Sequence, residues 1–479
     1  MKIIQETALT YDDVLLVPQY STVDSRRMLS TQTRLTNQIT LQIPIVSANM
    51  DVVTESEMAI AMARDGGIGI IHRFLSIAEQ ARHIERVKKA ESFIVEKPIT
   101  MTLAHTVGDL NKLVAETGTG GILILDDDEK LVGIVTTRDL LFEPDAAKPL
   151  SEIMQKKIIF AAPDISLKEA EKMLHDNRVE KLPLVDKNGR VAGLVTLKDI
   201  MKITQYPIAT KDSRGRLIVG AAVGVRDKEM HRVESALQAG ADCIVVDIAH
   251  GDSNLEIDMI KNIRKHFPKA QIIGGNVATT DGTKRLIDAG VDAVKVGVGP
   301  GSICITRMVA GSGVPQVTAI IDCAKAAESA GIPIIADGGI RQPGDVAKAI
   351  AAGAQTVMIG SMLAGTDESP GMIMTRRGHR YKASRGMASR EANIDRNRKE
   401  GNDLTHEEIE DYVAEGVEAA VPYRGKVREV LTQLVGGLQS GMSYSGATSL
   451  EDFQKKAVFV RMTGAGLKES GPHDVEVLG

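Results

Sequence analysis

A single cysteine in a glycine-rich turn is the residue of this chain best suited to covalent chemistry. The sequence GVGPGSICITR spans residues 297–307 and places Cys304 directly after an apolar run that is typical of a buried strand. A lone cysteine usually fills a small apolar space, and Cys243 and Cys323 fit that interpretation. A glycine-rich loop offers little core to fill, and its backbone N–H groups suit a reactive thiol. We therefore predict that Cys304 is a nucleophile, with the hydroxyl of Thr306 beside it.

Two further glycine-rich turns have the composition of a phosphate site. Asp337-Gly338-Gly339 ends one apolar run and Gly360-Ser361 ends the next, while Ser302 offers a hydroxyl from the cysteine loop. Only glycine lets a ligand approach the backbone N–H groups closely, and loops of this kind bind phosphate in barrel proteins. The pattern predicts a phosphorylated small molecule as the ligand.

Eight short apolar runs must position these residues. Continuous apolar runs without alternation are typical of strands buried on both faces of a parallel sheet, and segments with helical spacing separate them. The count of eight and the glycine-rich or polar turn after each run predict a (β/α)8 TIM barrel, with a doubly wound α/β sheet as the alternative. In a barrel, function gathers at the carboxyl ends of the strands. The runs cover residues 43–51, 66–74, 217–224, 243–251, 271–279, 293–301, 332–340 and 356–365.

An internal repeat interrupts the series of barrel units. Residues 121–140 and 181–200 align without a gap, and each copy predicts a strand, an acidic turn, a second strand and a Thr-x-x-Asp helix start. Two such units pack together because one alone buries little surface. The repeat therefore predicts a tandem module inserted between the second and third barrel units.

Composition excludes several classes of function. A net charge of −5 gives no basic surface for nucleic acid, and no apolar run reaches the roughly 18 residues that cross a membrane. Three cysteines cannot form a disulfide framework, their spacing matches no zinc site, and the N-terminal segment lacks the features of a secretory signal. A cytoplasmic protein of two or three domains is expected from 479 residues.

Motifs along nearly the whole chain resemble those of the IMP dehydrogenase and GMP reductase family. They include LTYDDVLLVPQYS at 9–21, the cysteine loop at 297–307 and FVRMTGAGLKESGPHDV at 459–475. Among these enzymes the dehydrogenases, in guanine nucleotide biosynthesis, are the more similar. The resemblance implies an NAD-dependent oxidation of IMP to XMP, in which Cys304 forms a covalent adduct with the purine that water then hydrolyses.

The inserted repeat resembles the tandem CBS (Bateman) module. The resemblance divides the chain into a first barrel part (1–92), a CBS pair (93–205, with copies at about 93–148 and 152–205) and the rest of the barrel (206–479). In CBS modules the Thr-x-x-Asp pairs, here Thr136/Asp139 and Thr196/Asp199, often hold the ribose of an adenine nucleotide. A purely structural role as helix N-caps is the alternative.

The family resemblance also implies roles for individual residues. The substrate would contact Glu415 and be held by Ser302, Asp337, Gly339, Gly360, Ser361, Met387 and Ala388. The cofactor would be held by Asp247, Asn276, Gly297 and Gly299. A potassium ion would take the carbonyl oxygens of Gly299, Gly301 and Cys304, together with Glu469, Ser470 and Gly471 from a neighbouring subunit. This arrangement implies a homotetramer, with an octamer possible through the CBS modules.

The direction of the reaction depends on residues 386–425, which resemble the mobile flap of the dehydrogenases. Arg396 occupies the position of a catalytic arginine, and Glu415 matches an acid that pairs with Thr306 in a proton relay. Asn397 stands where the dehydrogenases carry tyrosine, and a charged solvated loop is the alternative interpretation. We predict an IMP dehydrogenase. A GMP reductase, which deaminates GMP with NADPH, and a nucleotide-binding homologue with impaired catalysis are the alternatives.

Overall fold

A computed structural model describes residues 3–91, 94–399 and 404–472 of the chain. The chain divides into two compact units. One comprises the described residues of 1–88, 208–210 and 217–479, and the other those of 89–207 and 211–216.

Numbered along the chain, the strands are β1 (Val14–Leu16), β2 (Thr33–Arg34), β3 (Thr40–Leu41), β4 (Ile45–Ser47), β5 (Ile68–Ile71), β6 (Ile94–Val95), β7 (Thr100–Thr102), β8 (Gly121–Leu125), β9 (Leu131–Thr136), β10 (Lys181–Val185), β11 (Val191–Thr196), β12 (Gly220–Val223), β13 (Cys243–Val246), β14 (Ile272–Val277), β15 (Ala293–Val296), β16 (Ile334–Asp337), β17 (Thr356–Ile359), β18 (Ile373–Arg376), β19 (His379–Arg385), β20 (Glu418–Pro422) and β21 (Phe459–Arg461).

The helices are α1 (Ser56–Arg64), α2 (Ile77–Ala90), α3 (Val107–Thr117), α4 (Thr137–Leu141), α5 (Leu150–Ile153), α6 (Leu167–Asn177), α7 (Leu197–Thr204), α8 (Glu229–Gln238), α9 (Asn254–His266), α10 (Thr280–Ala289), α11 (Thr306–Val309), α12 (Gln316–Glu328), α13 (Pro343–Ala351), α14 (Ser361–Ala364), α15 (Arg390–Lys399), α16 (His406–Glu410), α17 (Val427–Tyr444), α18 (Leu450–Lys456) and α19 (Gly464–Glu469). Within the described part of the chain, no helix combines the length and the apolar character needed to cross a membrane.

The first unit is built on a closed barrel of eight parallel strands, which confirms the predicted TIM barrel. The strands follow one another around the barrel in the order β4, β5, β12, β13, β14, β15, β16 and β17, and β17 pairs with β4 to close it. Each of the eight predicted apolar runs contains one of these strands. Their residues are almost all buried, because the barrel interior covers one face and the helices cover the other.

Local sequence signals explain how the helices between these strands begin and end. In α10, the Thr279 hydroxyl accepts the backbone N–H of Gly282 at the N-terminus, and Gly290 ends the helix with φ +103°. Leu286 and Ala289, which lie at the helical spacing, are buried against the barrel. A cap, an apolar stripe and a terminal glycine are together sufficient to define a helix of this length.

A small antiparallel sheet of β18, β19 and β20 is added after the barrel. The chain between β19 and β20 contains α15 and α16 and covers most of the predicted flap at 386–425. It returns to the cysteine loop through a bridge between Cys304 and Gly416. The sheet therefore anchors the flap segment beside the carboxyl ends of the barrel strands.

The second unit contains two three-stranded sheets, one of β7, β8 and β9 and one of β6, β10 and β11. Each repeat copy forms a hairpin followed by a short helix, as its sequence predicts. The Thr136 and Thr196 hydroxyls donate to Asp139 (2.7 Å) and Asp199 (2.6 Å) in the first turns of α4 and α7. This is the helix-capping geometry, and an adenine nucleotide ligand stays a prediction.

Candidate active site

Two adjoining cavities lie at the carboxyl ends of the barrel strands. The larger, of about 460 Å³, is lined among others by Cys304, Thr306, Asp247, Asn276, Gly297, Gly299, Met387, Ala388, Arg396 and Glu415. The smaller, of about 290 Å³, is lined among others by Ser302, Gly339, Gly360 and Ser361. Gly301, Ile303 and Asp337 line both cavities. The nucleophile predicted from the sequence and the predicted phosphate cradle therefore adjoin.

The cysteine loop follows β15 and needs glycine to enter its turn. Gly297 has φ +151°, and a Cβ atom there would lie 2.1 Å from the carbonyl oxygen of Asp337. Beyond the turn, the N–H of Ile305 donates to the carbonyl of Glu415 at 2.9 Å, and the N–H of Val417 donates to that of Ile303 at 3.1 Å. These bonds fix the half-buried Cys304 between the barrel and the flap segment.

Cys304 lies at one end of a short chain of hydrogen-bonding groups. Its Sγ is 3.2 Å from the Oγ1 of Thr306, and that hydroxyl donates to the Oε2 of Glu415 at 2.6 Å. Since the proton of Thr306 is directed at Glu415, the threonine oxygen is left to accept the thiol proton. The geometry allows a proton to pass from the sulfur through the hydroxyl to the carboxylate.

The other two cysteines have the surroundings of packing residues. Cys243 and Cys323 are fully buried, and burial raises the pKa of both thiols, that of Cys323 to about 11. A buried thiol with a raised pKa is unreactive at neutral pH. Cys304 instead lines the cavity. The sequence likewise separates one candidate nucleophile from two packing cysteines.

A buried lysine connects the polar residues at the base of the larger cavity. The Nζ of Lys295 lies 3.0 Å from Asp337 Oδ2 and 4.0 Å from Asp247 Oδ1, and it donates to the side-chain oxygen of Asn276. Burial lowers the pKa of Lys295, but the carboxylates of Asp337 and Asp247 outweigh that effect and raise it. Lys295 therefore carries a charge that holds both carboxylates in the cavity.

Arg73 and Phe74, the second and third residues after β5, add a cation and an aromatic ring to the same cavity. The Nε of Arg73 lies 3.5 Å from Asp247 Oδ2. The guanidinium of Arg396 lies 5.9 Å from the centre of the Phe74 ring. Asp247 therefore faces cations on two sides, Arg73 and Lys295, and its carboxylate is one-fifth exposed.

The smaller cavity is a glycine-lined cradle that opens beside Asp337. Gly339 has φ +82°, and a Cβ atom there would lie 3.0 Å from the ring of Tyr11. Arg341, two residues further on, pairs with Asp12 and lines the same cavity. Arg307 also lines it, and its guanidinium donates to the carbonyls of Val298 and Val314. These features suit a phosphate group.

Helix α15 carries Arg396 into the larger cavity. The Nη2 of Arg396 donates to Asn393 Oδ1 at 2.6 Å. Asn397 instead turns back onto the helix, where its side chain donates to the backbone carbonyl of Asn393 at 2.9 Å. Arg396 therefore lines the cavity, whereas Asn397, at the position of the expected tyrosine, does not.

Three residues of the predicted potassium site lie elsewhere in this chain. Glu469, Ser470 and Gly471 line neither cavity, and their assignment to a neighbouring subunit stays a prediction. Residues 473–475 of the same motif lie outside the described residues. Sequence reasoning missed Lys295, Phe74 and Tyr412. A lysine within the apolar run AVKVGV was a usable signal for Lys295, and Phe74 stands at the end of the apolar run 66–74, whereas Tyr412 carries no such signal.

The fold gathers these polar residues at the carboxyl ends of its strands, which is the arrangement of TIM-barrel enzymes. The model of the IMP dehydrogenase / GMP reductase domain matches residues 8–473, and the chain belongs to that family.

Similar proteins carry both family names. The chain is 54% identical to inosine-5'-monophosphate dehydrogenase of Nitrosopumilus maritimus, over 98% of each chain. It is 48% identical to GMP reductase of Leishmania donovani, over 98% of this chain and 97% of that one. A crystal structure of a cysteine-to-alanine variant of GMP reductase from Trypanosoma brucei, in complex with guanosine 5'-monophosphate, superposes with a TM-score of 0.85. That protein is 46% identical, with 98% of each chain covered.

Proposed function

We propose that this protein is an IMP dehydrogenase that oxidises IMP to XMP with NAD through a covalent adduct on Cys304. The contact of Cys304 with the paired Thr306 and Glu415, inside a cavity that adjoins a phosphate cradle, is the observation that carries this proposal. Relatives named as IMP dehydrogenases, with about half of their residues identical over nearly the whole chain, support it.

In the first step the sulfur of Cys304 attacks C2 of the purine, and the thiol proton leaves towards Thr306 and Glu415. A C–S bond forms, and the C2 hydrogen then departs as a hydride with its electron pair. NAD, when bound, supplies the acceptor for that hydride. The product on the enzyme is a thioimidate between Cys304 and the purine, and one difficult oxidation is thereby divided into two steps.

In the second step water hydrolyses the thioimidate. A C–O bond forms at C2 and the C–S bond breaks, with its electron pair returning to the sulfur. Of the two water protons, one ends on Cys304 and the other on the purine ring nitrogen next to C2. Glu415 accepts a proton through Thr306 as the water attacks, and Arg396 offers positive charge beside the developing negative charge.

The cradle and the base of the cavity orient the nucleotide. In this proposal the phosphate is held by Ser302, Gly339, Gly360 and Ser361, and the ribose hydroxyls donate to Asp337. Met387 and Ala388 present backbone groups to the purine edge. Because the phosphate and ribose are fixed first, C2 is delivered to Cys304 in a defined orientation.

The larger cavity offers polar groups that would bind a nicotinamide nucleotide. Asp247, with its part-exposed carboxylate, would accept hydrogen bonds from the nicotinamide ribose, while Asn276, Gly297 and Gly299 would line the site beside Cys304. These residues fit the cofactor, and they would hold its ring beside the carbon that loses the hydride.

A potassium ion, an adenine nucleotide and a tetramer complete the proposal. Backbone carbonyls suit a large alkali cation, and the loop carbonyls of Gly299, Gly301 and Cys304 meet that requirement. Glu469–Gly471 of a neighbouring subunit would complete the cation site, which links potassium to a homotetramer. The inserted unit would bind the adenine nucleotide. An octamer formed through that unit stays a prediction, and so does the cytoplasmic location.

Acid quenching during turnover tests the proposal. With IMP and NAD present, the intact mass should reveal one nucleotide adduct per chain, and peptide mapping should place it on Cys304. Cys304→Ala should form no adduct and no XMP, whereas Cys323→Ala should keep both. A wild-type enzyme that makes XMP without any adduct on Cys304 would contradict the covalent mechanism.

A GMP reductase is the second candidate. It is favoured by the GMP reductases of Leishmania and Trypanosoma brucei, which are similar to this chain over nearly their full length, and by the position of Asn397 outside the cavity. This reaction would also pass through Cys304, but it would consume NADPH and release ammonia from GMP. Ammonia release therefore distinguishes the two activities.

A further inference from the structure

One tyrosine lines the larger cavity without a role in the mechanism given above. Tyr412 lies between α16 and β20 and lines the same cavity as Cys304 and Thr306. Its hydroxyl donates to the carbonyl of Ala388 at 3.4 Å. The tyrosine thus joins two parts of the flap segment, and the backbone of Ala388 is the one proposed above to face the purine.

The surroundings of the Tyr412 hydroxyl keep it neutral. Burial raises the pKa of Tyr412, the positive charge of Arg396 lowers it and the negative charge of Glu415 raises it, and the net direction is upward. A phenol has one proton to donate and can also accept. Since that proton is directed at Ala388, the oxygen is available as an acceptor on its cavity side.

The second step needs such an acceptor. A water molecule that attacks C2 must direct a lone pair at the carbon, so its two protons must be held by acceptors. Arg396 offers only donors, and the hydroxyl proton of Thr306 is committed to Glu415. Glu415 and Thr306 can take one water proton, and among the described flap side chains that line the cavity Tyr412 offers the other acceptor.

We propose that Tyr412 binds and orients the water that hydrolyses the Cys304 adduct, by accepting a hydrogen bond from it. The inference rests on the proposed function, whose second step it completes. The proton balance of that step is unchanged: Tyr412 holds a water proton and does not remove it, and Glu415 remains the proton acceptor. Asn397 provides no tyrosine hydroxyl next to Arg396. Tyr412, from the segment between α16 and β20, provides one in the same cavity.

A single-turnover experiment separates the two steps. Enzyme in excess over IMP, with saturating NAD, is quenched at successive times, and the Cys304 adduct is followed by intact mass. In Tyr412→Phe the adduct should form at the wild-type rate and decay about tenfold more slowly, the loss expected for one neutral hydrogen bond. Because the pKa of Tyr412 is raised and its hydroxyl stays protonated near neutral pH, the shape of the pH profile of decay should be unchanged there.

Tyr444→Phe is the matched control, since Tyr444 is 60% exposed and lines neither cavity; it should match the wild type in both rates. Equal adduct decay in Tyr412→Phe and wild type would overturn the inference alone. Formation and decay slowed by the same factor would also overturn it, because that result indicates a structural role. A wild-type enzyme that forms no adduct from IMP and NAD would overturn the proposed function together with this inference.

Discussion

Outside the reacting centre, Lys295 is the residue whose replacement should weaken the binding of both IMP and NAD. It is 2% exposed and lies between the carboxylates of Asp337 and Asp247, which we assign to the substrate and cofactor riboses. Lys295→Met should leave these carboxylates to repel each other. KM for both IMP and NAD should rise by about tenfold or more, which corresponds to a loss of about 1.4 kcal/mol in binding free energy. Steady-state kinetics with each ligand varied in turn measures this effect.

Lys88→Met is the control for lost stability. Lys88 is also buried and lies 2.7 Å from a carboxylate, that of Asp242, at the amino ends of the barrel strands. Both variants should lose about 3 kcal/mol of unfolding free energy, because each leaves part-buried carboxylate charge without its lysine partner. Only Lys295→Met should change KM, and equal KM values in the two variants would contradict the assigned position of Lys295.

The three thiols should differ sharply in their reaction with iodoacetamide. Cys243 and Cys323 are fully buried with raised pKa values, whereas the Cys304 side chain lines the cavity. At about pH 8 the folded protein should gain one adduct per chain, on Cys304, and IMP should slow that reaction. Peptide mapping measures the sites, and early labelling of Cys323 in folded protein would contradict the structure.

At the residue scale, the sequence predicted those groups whose surroundings are visible along the chain. Cys304, Ser302 and Gly339 stand in glycine-rich turns directly after apolar runs, so the loop that holds them is readable. Phe74 ends the predicted run 66–74, whereas Tyr412 reaches the cavity only because the flap segment folds back onto the cysteine loop. No spacing in the sequence could reveal that proximity.

At the scale of elements, the barrel was predictable and the added sheet was not. All eight barrel strands lie in predominantly apolar runs, because both of their faces are buried. All four residues of β18 are exposed, so no apolar pattern marks that strand. The segment at 386–425 was predicted as a flap, but its helices α15 and α16 were not, because their charged residues show no apolar stripe.

The position of α15 depends on an ion-pair chain that can be tested. Arg385 lies 2.9 Å from Asp51, after β4, and 2.7 Å from Asp395 in α15. Asp395→Asn should loosen the helix that carries Arg396 and lower kcat about threefold to tenfold, a range of about 0.7–1.4 kcal/mol. Because Asp395 is 42% exposed, Tm should change little.

Asp411→Asn replaces an exposed carboxylate of the same segment and serves as the control. It should keep the wild-type kcat. A loss in Asp411→Asn equal to that in Asp395→Asn would indicate a general effect of charge and would contradict the tether.

At the scale of the whole molecule, the proposed function assigns part of the cation site to a neighbouring subunit. The predicted cation ligands Glu469–Gly471 line neither cavity of their own chain. Met372, Ile373 and Met374 are 78%, 53% and 40% exposed at the start of β18, which leaves a run of apolar surface in water. The proposed homotetramer should give four times the mass of one chain in light scattering, and a monomer with full activity would contradict the shared site.

The central claim, that Cys304 serves IMP oxidation, is tested most directly by a paired assay. The purified protein is given IMP with NAD and potassium in one cell, and GMP with NADPH in the other, while absorbance at the NADH band and ammonia are recorded. An IMP dehydrogenase should give NADH and XMP in the cell with IMP and NAD, and Cys304→Ala should give neither. The cell with GMP and NADPH should release no ammonia. Ammonia and NADPH consumption in the second cell, without NADH in the first, would contradict the central claim.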